Sequence, residues 1–269
     1  MTYLFKIIEA FRGLYEICGY AIAIKWLAFF VFKINTVLRV RNLQAVDSAM
    51  GEGPFSVVLK KYGGKRFRVG GPNAVSGIRE MYVRDVYLRG GWLKINPDST
   101  VLDLGANMGN FTNMALAMAP DARVVAVEPS LALNTAFARS VGLNPGCLER
   151  TLLLRGFLGK ASPKILEAIA SDENYRDAKW ITAEDLLSKL NGRPIDFLKC
   201  DIEGGEFSLL SPGSRILSMT SQLACEAHSF AGDVPGFVES IRGEGFLIGP
   251  VQQDSDGTVT FLAKRPAHV

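Results

Sequence analysis

Histidine is nearly absent from this chain, and its cysteines are unpaired in any recognisable pattern. Its 269 residues include two histidines, His228 and His268, and four cysteines, Cys18, Cys147, Cys200 and Cys225. No C-x-x-C occurs, which excludes the usual zinc site and a disulfide framework and suits a reducing, cytoplasmic compartment. An excess of charge of one sign is also lacking, with 30 lysines and arginines against 27 acids. A net charge of +3 and a pI near 8.6 are too mild to argue for nucleic acid as a partner. No internal repeat or low-complexity tract is present. No apolar run reaches the roughly 20 residues that span a bilayer, and no small-residue cleavage site follows a basic start, so neither a transmembrane helix nor a signal peptide is expected. What remains is ordinary globular composition, 48% hydrophobic and 21% charged, enough for one large domain or one domain with an appendage.

The first forty residues differ from the rest. Leu4, Ile7, Ile8, Phe11, Leu14 and Tyr15 fall on one helical face, with Lys6, Glu9, Arg12 and Glu16 on the other. Ile17 to Phe32 is then almost wholly apolar, broken by Lys25 and followed by Lys33, Arg39 and Arg41. Two placements stay open: a helix lying in the membrane interface with its basic edge toward anionic lipid, or a helix packed on the protein's own core or on a second subunit. Next, Phe55–Lys60 and Arg66–Val69 flank Tyr62-Gly63-Gly64-Lys65, the pattern of a β-hairpin, and Ser76 to Trp92 reads as a helix.

The chain pivots on Val101-Leu102-Asp103-Leu104-Gly105-Ala106-Asn107-Met108-Gly109-Asn110-Phe111. An apolar run, a glycine turn and a helical pattern predict strand, tight loop and helix, the unit that holds a nucleotide. A dinucleotide fingerprint needs G-x-G-x-x-G, and Asn107 and Asn110 stand where its second and third glycines would be. The pattern D-x-G-x-x-x-G instead resembles the first motif of class I S-adenosylmethionine-dependent methyltransferases. Val124–Val127 then ends at Glu128-Pro129-Ser130, near the interval at which a ribose-binding carboxylate is expected. Further strand and helix patterns alternate, with Thr151 to Leu158 as the third strand, which predicts an α/β fold with a mostly parallel sheet and helices on both faces. Ile195-Asp196-Phe197-Leu198-Lys199-Cys200-Asp201-Ile202-Glu203-Gly204-Gly205-Glu206 is a buried strand ending in alternating carboxylates. In an extended chain Asp201 and Glu203 point the same way and Cys200 the other. Ligands bind beyond the carboxyl ends of such strands, so Asp103, Glu128, Asp201 and Glu203 should share one crevice.

These stretches, with the later Cys225-Glu226-Ala227-His228, are similar to FkbM-type methyltransferases in order and spacing from Phe55 onward. The one departure is Gly204-Gly205, where the family commonly has a single glycine and then a small residue. The resemblance implies a Rossmann-like class I methyltransferase fold, S-adenosylmethionine as cofactor and transfer to a hydroxyl oxygen of a sugar, glycolipid or related metabolite. It implies Glu128 on the ribose and Asp103 with Gly105 at the methionine end; Asn107, Gly109, Asn110, Phe111, Pro129 and Asp201 complete the expected cofactor site. The chain is then read as a helical segment over 1–45, a hairpin and helix over 46–98 and the methyltransferase domain over 99–269. Oligomerisation and peripheral membrane association through 1–41 are left open.

Methyl transfer needs acceptor oxygen, methyl and sulfur in line, and a base within reach of a sugar hydroxyl should add roughly 10²–10⁴-fold. Asp201, Glu203, Glu226 and His228 are the candidates. A divalent metal across those four is chemically open, but no ligand spacing singles one out and none is assigned. Two other readings stand beside O-methyl transfer. An N-methyltransferase would often carry an Asn/Asp-Pro-Pro-aromatic turn where this chain has Asp-Ile-Glu-Gly. A non-methylating nucleotide-binding or NAD protein would want the missing glycine.

Overall fold

The structure, a computed structural model, describes residues 3–254 and 256–266; His268 and the side chain of Leu4 lie outside the described residues. Helices α1 (Tyr3–Cys18) and α2 (Tyr20–Phe32) are separated at Gly19, whose φ of 89° is left-handed. α3 (Ile34–Val40) and α4 (Gln44–Ala49) follow. The buried stripe of α1 runs through Ala10 and Leu14, while Ile8 and Tyr15, expected on the apolar face, are half exposed. The reason is Gly13: a Cβ there would overlap Val83 Cγ1, so the helix makes its closest approach along that line and leaves Ile8 and Tyr15 on its flanks.

α2 is apolar on every side but buries only Ala23, Trp26 and Phe30. Its anchor is polar. Trp26 Nε1 donates to Asp47 Oδ1 at 2.8 Å, and Arg79 donates to the same fully buried carboxylate at 2.6–3.0 Å. One acid thereby ties α2, α4 and the segment before the sheet.

Strands β1 (Phe55–Leu59) and β2 (Lys65–Val69) form the expected hairpin, with Phe55, Val57, Leu59, Phe67 and Val69 turned inward. The helix expected over Ser76–Trp92 is shorter. α5 (Ala74–Ile78) continues into one π-helical turn, Arg79–Val83, and stops. Beyond it Asp85 takes a left-handed φ of 54°, and its carboxylate accepts from Tyr62 Oη at 2.7 and 2.8 Å and from the Gly90 amide at 2.6 Å. Those bonds hold a loop where apolar periodicity alone suggested more helix.

The main sheet contains β3 (Thr100–Leu104), β4 (Arg123–Val127), β5 (Thr151–Leu154), β8 (Phe197–Cys200), β9 (Gln222–Ala227), β10 (Leu247–Gln253) and β11 (Val259–Lys264), in the order β10-β11-β9-β8-β3-β4-β5. β9, β8, β3, β4 and β5 are parallel, and β11 and β10 close the edge antiparallel. Alternate strand residues feed opposite cores: Val101, Val124 and Ala126 on one face, Leu102, Val125 and Val127 on the other. Helices α6 (Asn110–Met118), α7 (Leu131–Gly142), α8 (Pro163–Ser171), α9 (Ala183–Ser188), α10 (Glu206–Leu209), α11 (Arg215–Met219) and α12 (Val234–Gly243) fill the connections. This is the expected Rossmann-like class I methyltransferase architecture.

The third strand is not continuous to Leu158. It ends at Leu154, and β6 (Gly156–Phe157) pairs instead with β7 (Lys179–Trp180) in a separate two-stranded sheet. At Gly156 a Cβ would lie 2.5 Å from the Lys179 carbonyl, so the chain departs where only glycine allows the approach.

The strand order reverses direction between β3 and β8, and this switch point is where an open α/β sheet leaves a crevice. Asp47→Ala leaves Arg79 and the Trp26 N–H without their shared acceptor and should cost about 3 kcal/mol in a urea titration. A loss below about 1 kcal/mol would mean that the N-terminal helices are held by apolar packing alone.

Candidate active site

Two loops meet at the switch point, one leaving β3 and one leaving β8. Gly105 has a φ of 75°, and a Cβ on it would lie 1.6 Å from the Asp201 carbonyl oxygen. Its glycine is therefore required by the approach of the second loop, where the sequence pattern suggested the approach of a ligand. Lys199 fastens the pair from beneath. Its side chain is 2% exposed, and Nζ donates to the carbonyls of Gly105 at 2.6 Å and Leu104 at 3.2 Å, with Asp103 at 3.6 Å and Asp201 at 3.5 Å. Burial disfavours the ammonium, but Asp201 and Asp103 outweigh it and hold the lysine charged, its pKa raised.

Between the loops opens a cleft lined among others by Asn107, Glu128, Leu133, Phe157, Tyr175 and Ile202. Of the residues expected at the cofactor, Gly105, Asn107, Glu128, Pro129 and Asp201 line it, and so does Glu203. Asp103, Gly109, Asn110 and Phe111 do not, which corrects the sequence reading. Asp103 is fully buried below the loop, accepting from Thr112 Oγ1 at 2.7 Å. Gly109 faces α7, where a Cβ would come within 2.9 Å of Phe137 and Val141. The Asn110 carbonyl accepts from Tyr82 Oη at 2.7 Å, and the Phe111 ring packs between Tyr87 and Phe197. Asn110 and Phe111 are turned inward because the first turn of α6 lies against the core, whereas Asp103 is buried within β3.

Glu128 occupies the tip of β4. Oε2 accepts from the Asn107 amide at 3.0 Å and Oε1 from the Ser130 amide at 2.9 Å, so each oxygen keeps a lone pair for the cleft. Burial pushes its carboxyl up to about 7, against the two amides, which lower it. Leu133, Phe157, Ile165 and Ile202 add apolar surface to the same cleft. A carboxylate beside an apolar slot matches an adenosine, whose ribose is polar and whose base is flat and largely apolar. The residues present therefore fit an adenosyl ligand.

Asp201 is shared with a second group of side chains. Tyr87 Oη lies 3.4 Å from Asp201 Oδ2 and 3.5 Å from Glu226 Oε2. His228 Nε2 lies 3.8 Å from Asp201 and 3.3 Å from Glu203, while its Nδ1 is 2.8 Å from Glu206. All four expected catalytic residues are thus brought together, though not by strand alternation. Glu203 has a left-handed φ of 54°, so the chain has already turned, and its carboxylate pairs with Lys164 at 2.6 Å. Burial first, then Asp201 and Glu80, raise Glu226 to about 8. Burial opposes the charged form of His228, but Glu206, Asp201 and Glu203 outweigh it and lift the imidazole to about 9. At neutral pH His228 is an imidazolium and a poor base. Burial, followed by Asp201 and Glu226, keeps Tyr87 neutral as a donor.

Sequence reading missed Lys199, Tyr87, Glu206 and Glu80. Only Lys199 left a signal, a charge inside the buried run Phe197–Cys200. Glu80 reaches the site through the π-helical turn, and its carboxyl is raised by burial and then by Asp201.

Comparison with known proteins agrees with this geometry. A family model described as the methyltransferase FkbM domain matches residues 103–248. AmbE, an antimetabolite synthetase of Pseudomonas aeruginosa, is 41% identical over 246 aligned residues; the match takes in 71% of this chain and 12% of that much longer protein. Among solved structures, an FkbM methyltransferase from Methylobacillus flagellatus is similar at 16% identity and a TM-score of 0.47, covering 71% of this chain and 54% of that one. Fibrillarin from Aeropyrum pernix with natively bound S-adenosyl-L-methionine is similar at 13% identity and 0.43, covering 67% and 73%. The fold itself rests on the strand order described above. The chain belongs to the FkbM methyltransferase domain family, and S-adenosylmethionine is its methyl donor.

Proposed function

We propose that this chain transfers a methyl group to a hydroxyl of a sugar, glycolipid or related small metabolite. The observation that carries the reading is the double position of Asp201, which lines the adenosyl cleft and also faces Tyr87, Glu226 and His228. S-adenosylmethionine supplies an electrophilic methyl on a sulfonium. Glu128 accepts the ribose hydroxyls, and the Gly105–Asn107 backbone and Ile202 bound the nucleoside. Asp201 would take the proton from the acceptor hydroxyl as the O–CH₃ bond formed and the S–CH₃ bond broke, the electrons of the broken bond staying on sulfur. Tyr87 is a positioning residue that donates to either carboxylate. The name of AmbE, an antimetabolite synthetase, favours a small metabolite over a polymer as acceptor.

Membrane contact belongs to the same proposal when the acceptor is a glycolipid. What supports it is the bent pair α2–α3, turned by 75°, on which Tyr20, Val31, Phe32, Leu38 and Val40 are more than half exposed. Between Glu16 and Asp47 the sequence has no acid and four cations, Lys25, Lys33, Arg39 and Arg41, which suits an anionic lipid surface. Neither helix alone is long and apolar enough to cross a bilayer. In cosedimentation with vesicles of phosphatidylcholine and phosphatidylglycerol, the protein should pellet at low salt, and Phe32→Glu with Val31→Glu should abolish this. Equal pelleting of the double variant would remove the membrane from the account.

Three further outcomes test the site. Glu128→Gln should weaken S-adenosylhomocysteine binding by roughly tenfold or more, measured by calorimetry. Because the Glu128 carboxyl is raised to about 7, it is ionised above that pH and loses acceptor capacity below it; affinity should fall from pH 8 to pH 6, and Glu128→Gln should flatten the dependence. Asp201→Asn should keep cofactor affinity within a few-fold and lower turnover by about 10²-fold, with labelled methyl recovered in an ether when cell metabolites and glycolipids are offered. Label recovered on nitrogen would replace the hydroxyl acceptor with an amine.

A further inference from the structure

The side chains where β8 and β9 end form a feature that cofactor binding touches only through Asp201. One ligand-capable atom from each of Asp201, Glu226 and His228 lies within 4.8 Å of the other two. Their backbones are rigidly related, because the two strands pair in parallel from Leu198 opposite Leu223 to Cys200 opposite Cys225. Asp201 and His228 each directly follow their strands, and Glu226 is in β9.

The imidazole is the informative member. His228 is 6% exposed, and its Nδ1 is committed to Glu206 Oε1 at 2.8 Å. Glu206 is itself fully buried and fixed, Oε1 by the His228 amide at 2.9 Å and Oε2 by the Gly204 amide at 2.9 Å. The other ring nitrogen, Nε2, is turned toward the carboxylates, 3.8 Å from Asp201 and 3.3 Å from Glu203. A metal-bound histidine is held in this way: a carboxylate on the far nitrogen sets the ring, and the ion takes the near nitrogen in place of its proton. Lys199, the neighbouring buried cation, directs its hydrogen bonds at the Leu104 and Gly105 carbonyls, beneath the first loop.

We propose that Asp201, Glu226 and His228 bind one divalent cation of the magnesium or manganese class on the acceptor side of the site. Two carboxylates and one imidazole form a harder set than the thiolate-rich sites that favour zinc. Octahedral coordination leaves three positions for water and acceptor oxygens. With bonds of about 2.1 Å, neighbouring ligands stand about 3 Å apart, so these atoms must draw together by about 1–2 Å. Asp201 and Glu226 are only partly buried and have the freedom to do so. Glu203 stays outside the set, paired with Lys164. The purpose of the cation, orienting adjacent hydroxyls and lowering the pKa of the reacting one, rests on the methyl-transfer reading; its binding does not.

The test is titration of Mn²⁺ into the full chain without cofactor or acceptor, with free Mn²⁺ followed by its electron paramagnetic resonance signal. The expected result is about one Mn²⁺ per chain, displaced by excess Mg²⁺, with affinity at least tenfold lower in Glu226→Gln and in Asp201→Asn and unchanged in the surface variant Glu173→Gln. His228→Gln should act likewise; if it does not fold, the two carboxylate variants decide. An undiminished free signal at millimolar Mn²⁺, or equal binding by all variants, overturns the proposal. Methyl transfer that persists in a chelator, with no Mn²⁺ bound, would remove the cation and keep the transferase. Mn²⁺ binding without S-adenosylhomocysteine binding would do the reverse.

Discussion

A single buried ammonium organises this molecule. Lys199 projects from the middle of a strand whose other side chains are apolar, and it donates to two carbonyls of the glycine loop while sitting between Asp103 and Asp201. A charge placed in low dielectric is tolerable only when it is paired and hydrogen-bonded. Here that requirement works in both directions. The lysine needs the loop's carbonyls and the two acids, and the loop can lie against the Asp201 backbone only because Gly105 has no side chain. Meeting the demands of one cation thus fixes the spacing of the two loops that bound the cleft.

The same point explains the electrostatics. Glu128, Asp201, Glu203 and Glu226 lie around strand ends where water is partly excluded, and burial raises Glu128 and Glu226 toward neutral pH. Such a collection favours ligands that bring positive charge, and a sulfonium does. Histidine 228 is drawn into the same economy, its ring held protonated by Glu206 from behind and by Asp201 and Glu203 in front. Two functions can then be served by one residue, since Asp201 closes the adenosyl cleft and opens the acceptor side.

Much of this was legible in the sequence. The run Val101–Leu104, the pair Gly105 and Gly109 and the acids Glu128 and Asp201 announce strand, loop and strand-end chemistry through residue type and spacing, which depend on local geometry. What failed depended on tertiary approach. Asp103, Asn110 and Phe111 read as cofactor residues because they belong to the motif, yet β3 buries the first and α6 turns the other two into the core. Gly105 belongs to the predicted glycine turn, but the backbone that approaches it, the Asp201 carbonyl, comes from the end of β8, which local spacing does not reveal. Glu80 precedes and Tyr87 follows Asp85, whose left-handed turn no apolar period reveals. Glu203 reaches His228 through a turn where an extended strand was expected.

The measurement that bears most directly on the central claim is a crystal structure with S-adenosylhomocysteine bound. The account predicts the adenosyl group between Glu128 and Ile202, both ribose hydroxyls within hydrogen-bond distance of the Glu128 carboxylate, the sulfur turned toward Asp201, and Lys199 still bonded to the Gly105 carbonyl. A nucleoside bound elsewhere on the chain, or loops that separate and break the Lys199 contacts when it binds, would contradict it.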